Sequence, residues 1–309
     1  MNLKEIEYIV MIAQEQKLSR AAERLFITPS ALTQQITNIE RKLGLPLFYR
    51  SRNGWVPTEA GSIYLQSARE ILLIRQETDK KLQDLANSRQ GTLAVGITSE
   101  HGSSTFTHIY PAFHRQYSEV TINIYETNVR SQQQMLLSGE LDLGILTLSD
   151  QQQTEDVYIP LANEEIVLAV PSIHPACNLA VSTARSLYPE LDPASIRHEP
   201  FAMMYKQSTM YEVISQTFQK YDFHPETLFY AQRSVTALEM VSAGICCSVV
   251  PSFFAAGAYQ RSFDNVSFFS FPCHPTWTIN ASYKKGSYLT DAAQYFIQLA
   301  KEYWGKLPL

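Results

Sequence analysis

Residues 17–44, KLSRAAERLFITPSALTQQITNIERKLG, read as two helices joined by a turn too short for them to lie antiparallel, and this unit constrains everything around it. Ser19 is a candidate N-cap for a first helix over residues 20–26, because its hydroxyl can accept from an otherwise free amide. Thr28 caps a second helix, and Pro29 takes the first helical position, where a missing N–H costs nothing. Leu32, Ile36, Ile39 and Leu43 then recur at intervals of four, three and four, which gives that helix one apolar side. Ser30, Thr33, Gln34, Thr37 and Asn38 are left facing outward, and Gly44 supplies the left-handed stop. An outward face so short-chained and uncharged suits hydrogen bonding to base edges. A merely solvated helix more often carries Glu and Lys pairs four apart. Taken alone the unit leaves both readings open, since short helix pairs also occur in proteins that never touch DNA.

The next residues tip the balance. In LPLFYRSRNGWVPTEAG (45–61), two short apolar runs flank Asn53–Gly54, the strongest two-residue hairpin signal, so a wing is expected. Arg50 and Arg52 sit beside its tip, within reach of phosphates or a minor groove. Residues 17–52 hold seven basic side chains against two acidic ones.

On SRAAERL (19–25), SALTQQI (30–36), Ile39–Glu40, LGLPLF (43–48), Arg50 and TEAG (58–61), the chain resembles the LysR-type transcriptional regulators. The resemblance implies that the second helix enters the major groove of double-stranded DNA and that the wing touches the flanking backbone. Pro29, Ser30, Thr33 and Gln34, with Thr37 on the same face, then meet bases, and Ser19, Arg20, Arg50 and Arg52 meet phosphates. Gln34 stands where the family commonly has arginine, and would favour adenine where arginine favours guanine.

A length of 309 residues suggests two or three domains. The net charge of −5 would argue against nucleic acid if it were uniform, but residues 1–91 hold 13 basic and 10 acidic side chains and the remainder 12 and 20. A basic head on an acidic body is therefore expected. The N-terminus opens on an amphipathic helix rather than a signal peptide, and no apolar run reaches eighteen residues, so a cytoplasmic chain with no membrane partner is expected. Cys177, Cys246, Cys247 and Cys273 follow no metal spacing and read as free thiols, with a redox-sensing pair as the lesser alternative.

From Thr58 one long helix runs to about residue 89, with Tyr64, Ala68, Ile71, Arg75, Thr78, Leu82 and Leu85 on a seam of heptad spacing. It pairs with a second copy or packs on its own chain; in the resembled family it is the dimerisation linker, which favours a homodimer and, by assembly, a homotetramer. Thereafter strands over 92–98, 120–126 and 141–147 alternate with helices, and the alternation resumes at 165–171, 200–206, 227–232 and 244–251, closing with a strand over 276–284 and a helix over 290–303. Parallel sheets are implied.

The fold class expected is α plus α/β. A winged helix-turn-helix (1–58) and a linker helix (59–90) precede an effector-binding domain (91–309) that resembles the two-lobed type 2 periplasmic binding proteins. Lobe I takes 91–162 and 270–309, and lobe II takes 163–269. Ligands of open parallel sheets bind at the carboxyl ends of strands, which nominates Thr98, Ser99, Thr127, Asn128, Thr147, Met204, Tyr205, Ser234 and Thr236 for a small, anionic effector. Lys206 and Arg233 are weaker candidates, and His101 reads as a surface or polar-lining residue. No HExxH, phosphate loop or GxSxG elbow is present, so no catalytic residue, metal or cofactor is expected. The reading is an effector-responsive regulator at an interrupted palindromic promoter operator, with RNA polymerase as a further partner. A two-lobed solute-binding protein or enzyme with an accessory DNA-binding head, and a constitutive DNA binder with a vestigial pocket, are the rivals.

Overall fold

The structure is a computed structural model that describes residues 2–51, 54–86, 90–184, 186–256 and 261–307. The chain divides into two compact units, residues 1–87 and 88–309.

In the first unit, α1 (Leu3–Glu15), α2 (Leu18–Arg24) and α3 (Pro29–Leu43) are followed by β1 (Phe48–Ser51), β2 (Gly54–Pro57) and α4 (Glu59–Leu85). Asn2 opens α1 with a full capping box, exchanging bonds with Glu5. Ile6, Ile9 and Ile12 of α1, Ala21 and Ala22 of α2, and Leu32, Ile36 and Ile39 of α3 close the core. The two alanines let α2 approach its neighbours closely, and that approach fixes the helix pair.

The N-cap assigned to Ser19 is corrected: α2 starts at Leu18 with Lys17 as its cap, no side chain caps it, and Ser19 lies exposed inside the helix. The turn needs a left-handed residue and uses Phe26, at φ 55°, where glycine is commoner. Thr28 caps α3 by accepting from the Ala31 amide, Pro29 opens it, and Gly44 ends it at φ 71°. β1 and β2 pair antiparallel as a hairpin. Arg52, Asn53 and Arg89 lie outside the described residues. Gly61 sits where a Cβ would come within 2.0 Å of the Leu47 carbonyl oxygen, so α4 can cross the foot of the wing only with glycine there.

The second unit is built on one strand path. Its strands are β3 (Gln90–Ile97), β4 (Glu119–Glu126), β5 (Leu143–Leu148), β6 (Val157–Pro171), β7 (Pro200–Met204), β8 (Glu226–Ala231), β9 (Cys247–Pro251), β10 (Val266–Ser270) and β11 (Thr276–Tyr283). Their order is β4-β3-β5-β11-β6-β9-β7-β8, with β10 also beside β6. Its helices are α5 (His101–Gln116), α6 (Val129–Ser138), α7 (Thr209–Lys220), α8 (Ser234–Ser242) and α9 (Asp291–Trp304).

Only part of the sheet is parallel, which corrects the sequence expectation. β3 runs parallel to β4 and β5, and β7 to β8 and β9, but β11 and β6 are antiparallel to their neighbours. β6 is the strand that ties the sheet together. Its first half pairs with β11 and its last residues pair with β9 and β10, so one continuous strand joins the two parallel groups of strands. Expected to begin at residue 165, it begins at Val157, because Asn163, Glu164 and Glu165 interrupt the apolar pattern without interrupting the strand. β10 and α7 are additions that the alternation of strands had hidden.

Candidate functional site

Two places in the chain gather functional residues, one in each unit. In the first, Pro29, Ser30 and Gln34 of α3 are exposed and Thr33 and Thr37 half-buried, while Leu32, Ile36 and Ile39 face the core. The hydroxyl of Thr33 donates to the Pro29 carbonyl at 2.9 Å, and Ser30 Oγ lies 3.1 Å from Thr28 Oγ1. Gln34 Nε2 donates to Asn38 Oδ1 at 3.2 Å. The hydrogen-bonding groups of this face are thus presented by a capped helix.

Glu40 ties the wing to the same helix. Its Oε1 accepts from the Leu47 and Phe48 amides, and its Oε2 meets Arg50 Nη2 at 3.1 Å. The Arg50 guanidinium also lies 4.7 Å from the centroid of the Trp55 ring. With these two supports its side chain stays 44% exposed, so a fixed cation remains open to solvent beside the polar face. Arg20 and Ser19 are exposed on α2.

The second unit holds a cavity of about 300 Å³. Of the residues nominated from the sequence, Thr98, Thr127, Asn128, Thr147, Met204 and Tyr205 line it, and Ser99, Ser234 and Thr236 do not. Lys206 and Arg233 are also outside the lining; the Lys206 ammonium lies 5.1 Å from the Tyr230 ring centroid instead. Sequence reasoning missed Glu100, Val129, Thr209, Met210, Gln232 and Trp277 as lining residues. The helix beginning at Thr209 supplies two of these, and its cap at Ser208 was the legible signal.

Three helix N-termini contribute to the wall: α5 through His101, α6 through Val129 with its cap Asn128, and α7 through Thr209 and Met210 with its cap Ser208. Each leaves amides free of helical partners. The Thr147 hydroxyl, on a residue only 3% exposed, has no hydrogen-bond partner among the described residues.

Ser234 and Glu100 belong together elsewhere in the site. Glu100 accepts from the Ser234 amide at 2.5 Å and from its hydroxyl at 2.9 Å, so a carboxylate already occupies the N-terminus of α8. Burial pushes the Glu100 carboxyl up, with His101 and Ser234 pulling against it.

His101 is corrected from a surface residue to a buried one, packed among Phe253, Trp277 and Trp304. Its Nε2 lies 2.7 Å from Glu164 Oε2, which also accepts from Trp277 Nε1 at 2.7 Å, while Glu164 Oε1 accepts from the Phe253 amide at 2.8 Å. Burial alone would lower the imidazole, but the charge of Glu164 and its bond outweigh it and leave the pKa raised. This contact joins the start of α5 to β6. Burial also pushes up the thiols of Cys177 and Cys246, and that of Cys247 to about 12, which suits inert thiols rather than sensors.

Residues 3–62 match the family model described as bacterial regulatory helix-turn-helix protein, lysR family, and residues 86–305 match the LysR substrate binding domain. The chain belongs to the LysR family of DNA-binding transcriptional regulators, and it is a regulator with an effector-binding domain rather than an enzyme. Among its relatives is the uncharacterized HTH-type transcriptional regulator YcgK of Bacillus subtilis (strain 168), 26% identical across 98% of this chain and 94% of that protein. Among solved structures, a full-length OxyR variant from Pseudomonas aeruginosa matches with a TM-score of 0.71 at 22% identity, covering 100% of this chain and 99% of that one. Full-length CbnR complexed with its target DNA matches at 0.52 and 19% identity, covering 98% and 100%. These two show the fold: a helix-turn-helix, a long helix and an α/β substrate-binding domain. Among the described residues no helix is long and apolar enough to cross a membrane.

Proposed function

We propose that the chain is a cytoplasmic, effector-responsive regulator that binds an interrupted palindromic promoter site as a homodimer or homotetramer. In this reading the α3 face of each copy meets base edges through Pro29, Ser30, Thr33, Gln34 and Thr37. Ser19, Arg20, Arg50 and Arg52 meet phosphates, and RNA polymerase is the downstream partner. Domain limits follow the same reading: residues 1–58 bind DNA, 59–90 pair the copies, and 91–309 bind the effector.

The effector is a small molecule with one anionic group. The observation that carries this is the convergence of three helix N-termini and an unpartnered Thr147 hydroxyl on one cavity that, among the described residues, no lysine or arginine lines. Dipoles and hydroxyls suit one carboxylate; a second charge would lack a counter-ion. The effector acts by binding one lobe arrangement more tightly than another, and its effect is limited to that difference.

A thermal-shift screen of the full chain against small carboxylates, amines and neutral metabolites tests this, because a ligand that binds the folded state raises Tm. Shifts confined to monocarboxylates are expected. A shift from amines alone would reject the anionic assignment.

A further inference from the structure

The outward face of α3 carries an internal constraint that decides which base it can read. Arg41 Nη1 lies 3.4 Å from Asn38 Oδ1, and Gln34 Nε2 lies 3.2 Å from the same oxygen. A guanidinium has donors and no acceptor, so the Asn38 atom turned towards Arg41 is its carbonyl oxygen. That oxygen also faces Gln34, which must therefore turn its amino group towards Asn38. The carbonyl oxygen of Gln34 and its remaining N–H are left for a partner outside the helix.

The neighbouring hydroxyls offer less. That of Thr33 already donates to the Pro29 carbonyl, and that of Ser30 is engaged with Thr28. Adenine presents an acceptor and a donor side by side in the major groove, whereas guanine presents two acceptors. One free acceptor and one free donor on Gln34 match adenine.

With Gln34 as the adenine contact of each half-site, as expected from the sequence, we propose that Asn38, backed by Arg41, is the positioning residue that holds Gln34 in the adenine-reading orientation. This rests on the reading of α3 as the base-contacting helix, and the test separates the two. The full chain and its variants are each used to select bound duplexes from a random pool, and the bound pools are sequenced. The wild-type pool is expected to hold one column per half-site in which adenine exceeds guanine by about tenfold or more. Gln34→Arg moves that column to guanine and leaves the others unchanged.

Asn38→Ala loses most of the adenine excess. Asn38→Asp keeps an acceptor for the Gln34 and Arg41 donors, and therefore keeps the adenine column while the added negative charge weakens binding to every duplex. Gln34 is exposed, so its replacement leaves the core intact. A Gln34→Arg pool with the wild-type columns would overturn the base assignment, and an adenine column that survives Asn38→Ala would overturn the positioning role. A wild-type pool with no enriched motif would instead remove the reading of α3 on which both stand.

Discussion

Arg50 is held from two sides, by the Glu40 carboxylate and the Trp55 ring, and still keeps its guanidinium open to solvent. A cation fixed in that way loses little conformational freedom when it meets a phosphate. Arg50→Ala is therefore expected to weaken binding to all duplexes alike and to lower the salt slope by about one, measured by titration across salt concentrations. Thr33→Ala is expected to act differently, relaxing sequence preference with little change on random duplexes. Equal losses on specific and random duplexes would remove Thr33 from the base contacts.

In the second unit the single residue that organises most is Glu164, wholly buried, accepting from the Phe253 amide and from Trp277 Nε1 and lying 2.7 Å from His101 Nε2. Removing one partner of a buried pair typically costs about 3–5 kcal/mol, so Glu164→Ala should lower Tm sharply. The pH dependence has a definite sign. Because the folded-state pKa of His101 is raised, the folded chain binds its proton more tightly than the unfolded one does. The stability from the pair is full below the unfolded value of about 6.5 and is lost as pH rises through the higher folded value. The Tm gap between wild type and Glu164→Gln should accordingly narrow as pH rises above neutrality. A gap that widens would contradict the raised folded-state pKa. None of this was legible in the sequence, where His101 follows a glutamate at a strand end and looks like any exposed polar residue. What buries it are Trp277 and Trp304, more than 170 positions away in the chain, and that proximity has no local signature.

Among the elements, α4 most needs a partner. Its first half buries Leu65 and Ala68 in the core of the first unit, whereas Leu82 and Leu85 are 59% and 81% exposed. Exposed leucines on a heptad seam are what a paired helix would cover. If the copies pair through α4 as proposed, Leu82→Glu combined with Leu85→Glu shifts the assembly towards monomer in sedimentation experiments while the far-ultraviolet circular dichroism stays near wild type. An unchanged sedimentation coefficient would place the pairing surface elsewhere. The sequence exposed this helix, the α3 caps and most strand positions because period, caps and turns are local. It hid the continuity of β6, whose carboxylates at 164 and 165 read as a strand end but are satisfied by tertiary donors. α7 was lost for another reason: Met210, Val213, Ile214 and Phe218 do follow helical spacing behind a Ser208 cap, but the strands on either side make a period of two the more prominent pattern. For the cavity, the strand-end rule found the threonines. It could not anticipate that Glu100 already fills the end of α8, or which helix starts would point inward.

For the molecule as a whole, the basic balance of residues 1–91 and the acidic balance of the rest assign different partners to the two units. A ligand identified by thermal shift should raise Tm less in Thr98→Ala than in wild type, since Thr98 lines the cavity and its hydroxyl faces the Gly102 amide at 3.3 Å. Equal shifts would exclude this part of the wall from the site. DNA binding by Thr98→Ala should remain intact, because the substitution lies in the second unit. The most direct measurement is equilibrium binding of the full chain to a duplex selected from a random pool, set against a scrambled duplex of the same composition at physiological salt. The expected result is a preference of about a thousandfold or more for the selected duplex, diminished by Thr33→Ala and Gln34→Ala. Equal affinity for both duplexes would contradict the assignment of the α3 face as the surface that reads DNA.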